Sequence, residues 1–173
     1  IKVFTTIKHT IHIGHIRNSI FGDSLSRLLK LAGRDVVTQY YVNDMGRQIA
    51  IIVCGITECG LKIEDYEGEK IDHKIGKLYF DANKAVEEDE ALNAKVDELI
   101  QKYEEGSDEE LNKVFEDVVS KCISGMKESL LRMNIVHDDF VWEGQFVRSG
   151  EVDGLVDYIQ KEGCASQEDV MFI

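Results

Sequence analysis

Two histidines three positions apart, His12 and His15, are the residues of this chain best suited to chemistry. They flank Ile13 and Gly14 and open a run with helical spacing, so both imidazoles are expected on one side of a helix start. Free backbone N–H groups and the positive end of the helix macrodipole favour an anion there. Imidazole N–H groups can donate to phosphate oxygens, and Gly14, which has no Cβ, lets a flat base lie against the backbone. The segment therefore indicates a site for a nucleotide.

Two other interpretations of this segment stay open. A His-x-x-His pair can bind a metal ion, although no acidic ligand stands beside this one. The histidines can also be ordinary polar residues at the start of a helix. These four residues do not by themselves decide among the three possibilities.

Composition limits the classes of protein to which the chain can belong. Its 173 residues are 43% hydrophobic and 31% charged, which is typical of a globular protein, and the net charge is −13. The acidic excess excludes nucleic-acid binding through bulk positive charge. No apolar run approaches the length of a membrane-spanning helix, and residues 1–4 lack the pattern of a signal peptide. We expect a cytoplasmic chain.

The cysteines and the missing prolines add two expectations. The four cysteines are Cys54, Cys59, Cys122 and Cys164. Their spacing does not match a zinc site, so we expect idle thiols in a reducing compartment, with a structural metal as the alternative. Proline is absent, the first residue is not Met, and the last four residues, 170–173, are all apolar. The missing prolines suggest strong drift or deliberate editing, and the two ends of the chain suggest a piece of a longer protein.

The elements around the histidines form a strand–helix–strand unit. Residues 1–6 are expected to form a short strand, and a helix is expected from Ile13 to Ala32, with Gly33 as its stop. Residues 35–42 are rich in β-branched and aromatic side chains and predict a second strand. The order implies a parallel pair with a right-handed crossover. Asn43 is a candidate cap for a second helix that runs to about Cys54.

The rest of the chain is expected to be mostly helical. The clearest helix covers 108–133, where apolar residues keep a spacing of three to four for more than six turns and Ser107 with Glu110 forms a capping box. Further helices are expected over 73–88, 90–104 and 150–162. Residues 57–72 predict a loop or small hairpin, 140–147 a strand pair or loop, and 164–173 an extended segment.

The segment 12–50 resembles the class I arginyl-tRNA synthetases in their archaeal form. His12–His15 matches the class I signature, and the residues up to Gly33 follow in the spacing of the arginine enzyme. Residues 40–48 (YYVNDMGRQ) are similar to its second sequence block. Pantothenate synthetases and other nucleotidyl transferases share the histidine signature but lack this block, so the resemblance is specific.

This resemblance implies an α/β fold, a partial Rossmann-like parallel sheet with a mostly helical inserted subdomain. Residues 1–56 would form the first half of the nucleotide-binding domain, 57–150 the connective insertion, and 151–173 the return helix and strand. The implied activity is ATP-dependent conversion of arginine to arginyl-adenylate, followed by transfer to tRNA. ATP would act as a substrate accompanied by Mg²⁺, and no metal site is expected in the chain itself.

The resemblance also assigns site residues. The catalytic residues would be His12 and His15, which stabilise the α-phosphate during the reaction. The residues assigned to ATP binding are His12, Gly14, His15 and Lys8. The residues assigned to arginine binding or to the edge of the site are Thr6, Asn18, Tyr41, Asp44 and Gln48. Asp44 and Arg47 can equally cap and decorate a helix, and Tyr40 and Tyr41 lie on opposite faces of a strand, so only one of them can face a ligand.

Several departures from the family pattern bear on function. Thr6 and Ile1 stand where family members carry the Asn and Glu that contact arginine. No Lys-Met-Ser-Lys-type loop, which belongs to the second half of the catalytic domain, occurs in the chain. The alternative function is therefore a non-catalytic fragment, a folded scaffold with at most weak ATP binding. We also expect weak affinity for tRNA because of the negative charge, and self-association if a sheet edge is open.

Overall fold

A three-stranded parallel sheet positions the candidate site. The computed structural model describes residues 2–4, 13–163, 166–167 and 171–172. Strands β1 (Lys2–Phe4), β2 (Gln39–Val42) and β3 (Asp139–Trp142) lie in the order β1-β2-β3, and both pairs are parallel. Their carboxyl ends therefore lie at one edge of the sheet. The expected α/β fold with a partial Rossmann-like sheet is confirmed.

Helix α1 (Ile13–Leu31) connects β1 to β2, as expected. It ends at Gly33, whose φ of 76° is the left-handed conformation that glycine adopts without strain. The N–H of Gly33 donates to the carbonyl of Lys30, and the N–H of Arg34 donates to that of Leu29. Orphan carbonyls at the end of the helix are thereby satisfied.

Helix α1 is oriented with small and polar side chains inward. The buried side chains and glycine are His15, Ser19, Gly22 and Ser26. The exposed apolar side chains are Ile13, Ile20, Phe21, Leu28 and Leu31. The spacing of the apolar residues thus correctly predicts a helix. Among the described residues, however, these apolar side chains are exposed on its outer side. A row of small residues on the inner side allows the helix to approach its neighbours closely.

Helix α2 (Arg47–Thr57) is the centre of the core. Every residue from Ile49 to Gly55 is buried, because helices α3 (Ile71–Glu88), α4 (Glu90–Glu105) and α5 (Glu109–Arg132) pack around it. A short 3-10 helix, Ile63–Asp65, lies in the segment that was expected to be a loop or hairpin. The expected helices over 73–88, 90–104 and 108–133 are confirmed.

Two expected helix caps are wrong. Helix α2 begins after Gly46, and no side chain caps it, so Asn43 does not have that role. Helix α5 is capped by Asp108, whose Oδ1 accepts a hydrogen bond of 3.0 Å from the N–H of Leu111. Ser107 lies one residue too early for the capping box. An Asp side chain accepts more strongly than a Ser hydroxyl at this place because the helix start carries positive partial charge.

The chain returns to the sheet after α5. Residues 140–147 contain neither a strand pair nor a simple loop: β3 ends at Trp142 and helix α6 (Glu143–Arg148) starts at once. The range 57–150 therefore encloses one strand of the parallel sheet. Helix α7 (Glu151–Lys161) confirms the helix expected over 150–162. Strands β4 (Ser166–Gln167) and β5 (Met171–Phe172) form an antiparallel pair.

Strand β1 is at one edge of the sheet and β3 at the other, among the residues that the structure describes. The same residues contain no helix that is long and apolar enough to cross a membrane.

Candidate functional site

The first turn of α1 carries two of the residues assigned to nucleotide binding. His15 is buried, with 7% of its surface exposed, and Gly14 is half-buried. Both belong to the helix that follows β1, and in open α/β folds ligands bind outside the carboxyl ends of the strands. His12, Lys8 and Thr6 lie outside the described residues.

Two of the other assigned residues lie on helices α1 and α2. Asn18 is exposed on α1, and Gln48 is half-buried in the first turn of α2. Arg47 is engaged with α4: its guanidinium forms an ion pair with Asp97 and donates a hydrogen bond of 2.6 Å to Asn93 Oδ1. Arg47 thus ties α2 to α4.

The two tyrosines of β2 point to opposite faces of the sheet, as alternation requires. Tyr40 is buried in the core, where its ring stacks on Phe140 with centroids 5.4 Å apart. Tyr41 is half-buried on the other face and pairs with the side chain of Glu143. Of the two, only Tyr41 is placed to meet a ligand.

Glu143 is the site residue that sequence reasoning missed. Its carboxylate is hydrogen-bonded to the Tyr41 hydroxyl, while Oε2 is buried and has no hydrogen-bond partner among the described residues. Burial raises the pKa of Glu143; the hydrogen bond from Tyr41 opposes this shift, and the negative charge of Asp44 adds to it. A buried carboxylate oxygen without a donor is costly, and it retains the capacity to accept a hydrogen bond.

Burial also raises the pKa of Tyr41, and the negative charge of Glu143 adds to this shift. The tyrosine therefore stays a neutral hydroxyl that donates to the carboxylate near neutral pH.

Asp44 is fully buried directly behind this pair. Its Oδ1 accepts a hydrogen bond of 2.8 Å from the N–H of Gly144, and its Oδ2 accepts one of 2.8 Å from the hydroxyl of Tyr103. The two donors come from α6 and α4. Asp44 therefore joins the end of β2 to two other elements.

Gly144 and Arg148 complete the surroundings of Asp44. A Cβ on Gly144 would lie 2.6 Å from Asp44 Oδ2, which is too close for any larger residue. The guanidinium carbon of Arg148 lies 4.8 Å from the centroid of the Tyr103 ring. Tyr103 itself stacks on Phe115, with ring centroids 4.1 Å apart. The start of α6 is thus held closely against β2 and α4.

The described residues contain no group of three metal-ligating side chains. Cys54 and Cys122 are buried free thiols, and burial raises the pKa of Cys54 to about 11 and that of Cys122 to about 12. Both are therefore neutral thiols near pH 7. Cys164 lies outside the described residues.

Comparison with known proteins decides the family. The family model described as "tRNA synthetases class I (R), catalytic domain" matches residues 5–173. The chain belongs to the class I arginyl-tRNA synthetase family.

Relatives of the synthetase family match nearly the whole chain but are much longer than it. The arginine–tRNA ligase of Methanobrevibacter smithii is 69% identical over 163 residues, which cover 94% of this chain and 28% of the relative. The arginine–tRNA ligase of Methanothermobacter thermautotrophicus is 53% identical, with coverage of 94% and 29%. The chain thus spans between a quarter and a third of the length of these curated relatives.

A solved structure supports the same family. The arginyl-tRNA synthetase of Thermus thermophilus is similar with a TM-score of 0.70 and 26% identity, covering 92% of this chain and 26% of that one. No local sequence signal marks Glu143, Tyr103 or Arg148, because these residues meet the block 40–48 only in the folded chain. Glu143 lies inside the segment 140–147, which was expected to be a strand pair or loop, so its place directly after a strand was not evident from the sequence.

Proposed function

We propose that the chain forms one half of the active site of an arginine–tRNA ligase. In the first step the carboxylate of arginine attacks the α-phosphorus of ATP, the bond to the β-phosphate oxygen breaks, and pyrophosphate leaves. In the second step a hydroxyl at the 3′ end of tRNA attacks the carbonyl carbon of the arginyl-adenylate, the bond from that carbon to the phosphate oxygen breaks, and AMP leaves. The observation that supports the proposal is the pairing of Tyr41 with Glu143 where β2 and β3 end side by side, in a chain of this family whose helix α1 carries Gly14 and His15 in its first turn.

The start of α1 is the proposed nucleotide subsite. His15 and its neighbour His12 would donate to oxygens of the α-phosphate as negative charge develops there, with Lys8 nearby and Gly14 beneath the adenine. One preorganised donor of this kind contributes about 3 kcal/mol to the transition state. Mg²⁺ enters as part of the substrate, bound to the phosphates of ATP.

Glu143 with Tyr41 is the proposed subsite for the positive groups of arginine. A guanidinium or an ammonium group donates several hydrogen bonds, and Oε2 of Glu143 is a buried acceptor without a donor among the described residues. Asn18 on α1, Gln48 in the first turn of α2, and Thr6 are the candidates for the edge of this subsite. The charge of Glu143 would also favour arginine over neutral amino acids of similar length.

The second candidate function is a folded fragment that binds ATP weakly and catalyses nothing. The coverage of the curated relatives supports it, because their activity resides in chains of which this one matches 28%. The exposed apolar residues of α1 support it as well, since the family's remaining length offers a cover for them. We also propose a cytoplasmic location, weak affinity for tRNA because of the negative charge, and self-association through an open edge of the sheet.

A titration of the full 173-residue chain with ATP and Mg²⁺, followed by backbone amide NMR, tests the nucleotide subsite. We expect saturable shifts over residues 12–22, because phosphate binding at the start of α1 changes the environment of its first N–H groups. A variant with His12→Ala and His15→Ala is expected to bind at least about tenfold more weakly.

The matched control for this titration is His73→Ala, since His73 is exposed on α3 and far along the chain from the site. It should bind ATP like the parent. Absence of shifts at millimolar ATP in the parent would contradict the proposal and favour the scaffold function.

A further inference from the structure

Asp44 is enclosed by protein on every side. None of its surface is exposed, and each carboxylate oxygen already accepts a 2.8 Å hydrogen bond, one from Gly144 and one from Tyr103. A substrate cannot reach either oxygen without displacing a buried donor. Direct contact with arginine, which the sequence resemblance allows for this residue, is therefore a poor account of its role.

The hydrogen bond from Gly144 fixes the backbone immediately after Glu143. Helix α6 begins at Glu143, and its first N–H groups have no partners within the helix. Asp44 takes one of them and meets the positive end of the helix with a negative charge. Because Gly144 lacks a Cβ, the carboxylate comes close enough to hold the backbone in one place. The direction of the Glu143 side chain follows from that anchor.

The hydrogen bond from Tyr103 connects the same carboxylate to the inserted helices. Tyr103 lies near the end of α4, has only 1% of its surface exposed, and stacks on Phe115 of α5. Its ring is therefore packed tightly between α4 and α5. The guanidinium of Arg148 lies over the Tyr103 ring and places a positive charge near Asp44.

We infer that Asp44 is a positioning residue for Glu143, and that it makes the arginine subsite depend on the docking of α4 and α6 against the end of β2. The second part of this inference rests on the proposed function. The first part concerns only the geometry of the Tyr41–Glu143 pair and is decided without any ligand.

The test uses the full chain with three substitutions at this cluster. In Asp44→Ala both donors lose their acceptor. In Asp44→Asn the amide oxygen can still accept from Gly144, while the amide N–H₂ donates to the Tyr103 oxygen. Tyr103→Phe removes only the connection to α4. NMR reports the ¹³C shift of the Glu143 carboxyl group and the ring signals of Tyr41, and a titration with L-arginine reports affinity.

We expect Asp44→Ala to shift the Glu143 and Tyr41 signals and to weaken arginine binding by about tenfold or more, since a hydrogen bond to a charged group is lost. Asp44→Asn should restore most of the affinity, and Tyr103→Phe should fall between the two. Affinity for ATP should stay within about twofold of the parent in all three, because the nucleotide subsite lies on α1.

The matched control is Asp138→Ala. Asp138 also connects residues 100 positions apart, since its Oδ2 accepts a hydrogen bond of 2.7 Å from the backbone N–H of Thr38. This bond lies at the amino ends of β2 and β3, whereas Asp44 follows the carboxyl end of β2. It should lower stability without changing arginine affinity.

The possible outcomes distinguish the positioning role of Asp44 from the proposed function. Unchanged Glu143 and Tyr41 signals in a folded Asp44→Ala variant would overturn the inference, and Asp44→Asn together with Tyr103→Phe decides it if the alanine variant does not fold. If the parent binds no arginine, the proposed function fails, while the carboxyl signals still decide whether Asp44 positions Glu143.

Discussion

Replacing Lys70 by methionine is expected to lower the free energy of unfolding by about 3–5 kcal/mol. Lys70 and Asp72 form a buried ion pair of 3.0 Å, with 8% and 2% of their side chains exposed. The ammonium group also donates a hydrogen bond of 2.6 Å to Ser129 Oγ on α5. Without Lys70, the Asp72 charge stays in the core with no cation to compensate it. Urea denaturation monitored by circular dichroism measures the change.

The matched control is Lys84→Met, on the same helix as Asp72. Lys84 and Glu88 form an exposed pair of 4.0 Å, with 66% and 69% of their side chains in solvent. Such a pair contributes at most about 1 kcal/mol, so this variant should remain close to the parent. Equal effects of the two substitutions would show that burial does not set the strength of the Lys70–Asp72 pair.

Gly55→Ala and Gly154→Ala are expected to change stability in opposite directions. Both glycines lie inside helices, where alanine is intrinsically better by about 1 kcal/mol. A Cβ on Gly55 would lie 2.7 Å from the Cβ of Ala82, because α2 and α3 touch there. A Cβ on Gly154 would meet nothing within 4 Å. We expect a loss of about 1–3 kcal/mol for Gly55→Ala and a gain of up to about 1 kcal/mol for Gly154→Ala.

Urea midpoints of the two variants and the parent decide this prediction, provided that the three denaturation slopes agree. The contact itself can be tested by Gly55→Ala combined with Ala82→Gly, which removes the opposing methyl. Recovery of part of the loss in this double variant is expected. A stabilised Gly55→Ala variant would contradict the close approach of α2 and α3.

Helices α3, α4 and α5 were predictable from sequence because their signals are local. The spacing of apolar residues along 108–133 reports which face of α5 is buried, and a helix of this length averages over many residues. The exact first residues of the helices were less predictable. Ser107 and Asp108 are neighbours with similar capping chemistry, and the sequence alone does not show that Asp108 caps α5. The orientation of α1 was not predictable, since its apolar spacing shows a helix but not which face packs inward.

Strand β3 and the residues after it could not be predicted for a different reason. Four residues give little periodicity, and the pairing of Tyr41 with Val141 joins positions 100 apart along the chain. The candidate site inherits this limit. His15 and Tyr41 lie in a recognisable sequence block, whereas Glu143 is brought next to Tyr41 only by the register between β2 and β3.

The hydrogen bond between Gly144 and Asp44 has a consequence for the order of folding. It spans 100 residues, as do the pairs between β2 and β3. Contacts among α2, α3, α4 and α5 span shorter stretches of chain and form sooner, since nearby segments meet with a smaller loss of entropy. Once these helices have collapsed, they bring residue 44 and residue 144 together. We therefore expect helices α2 to α5 to pack first and the Tyr41–Glu143 pair to form after them.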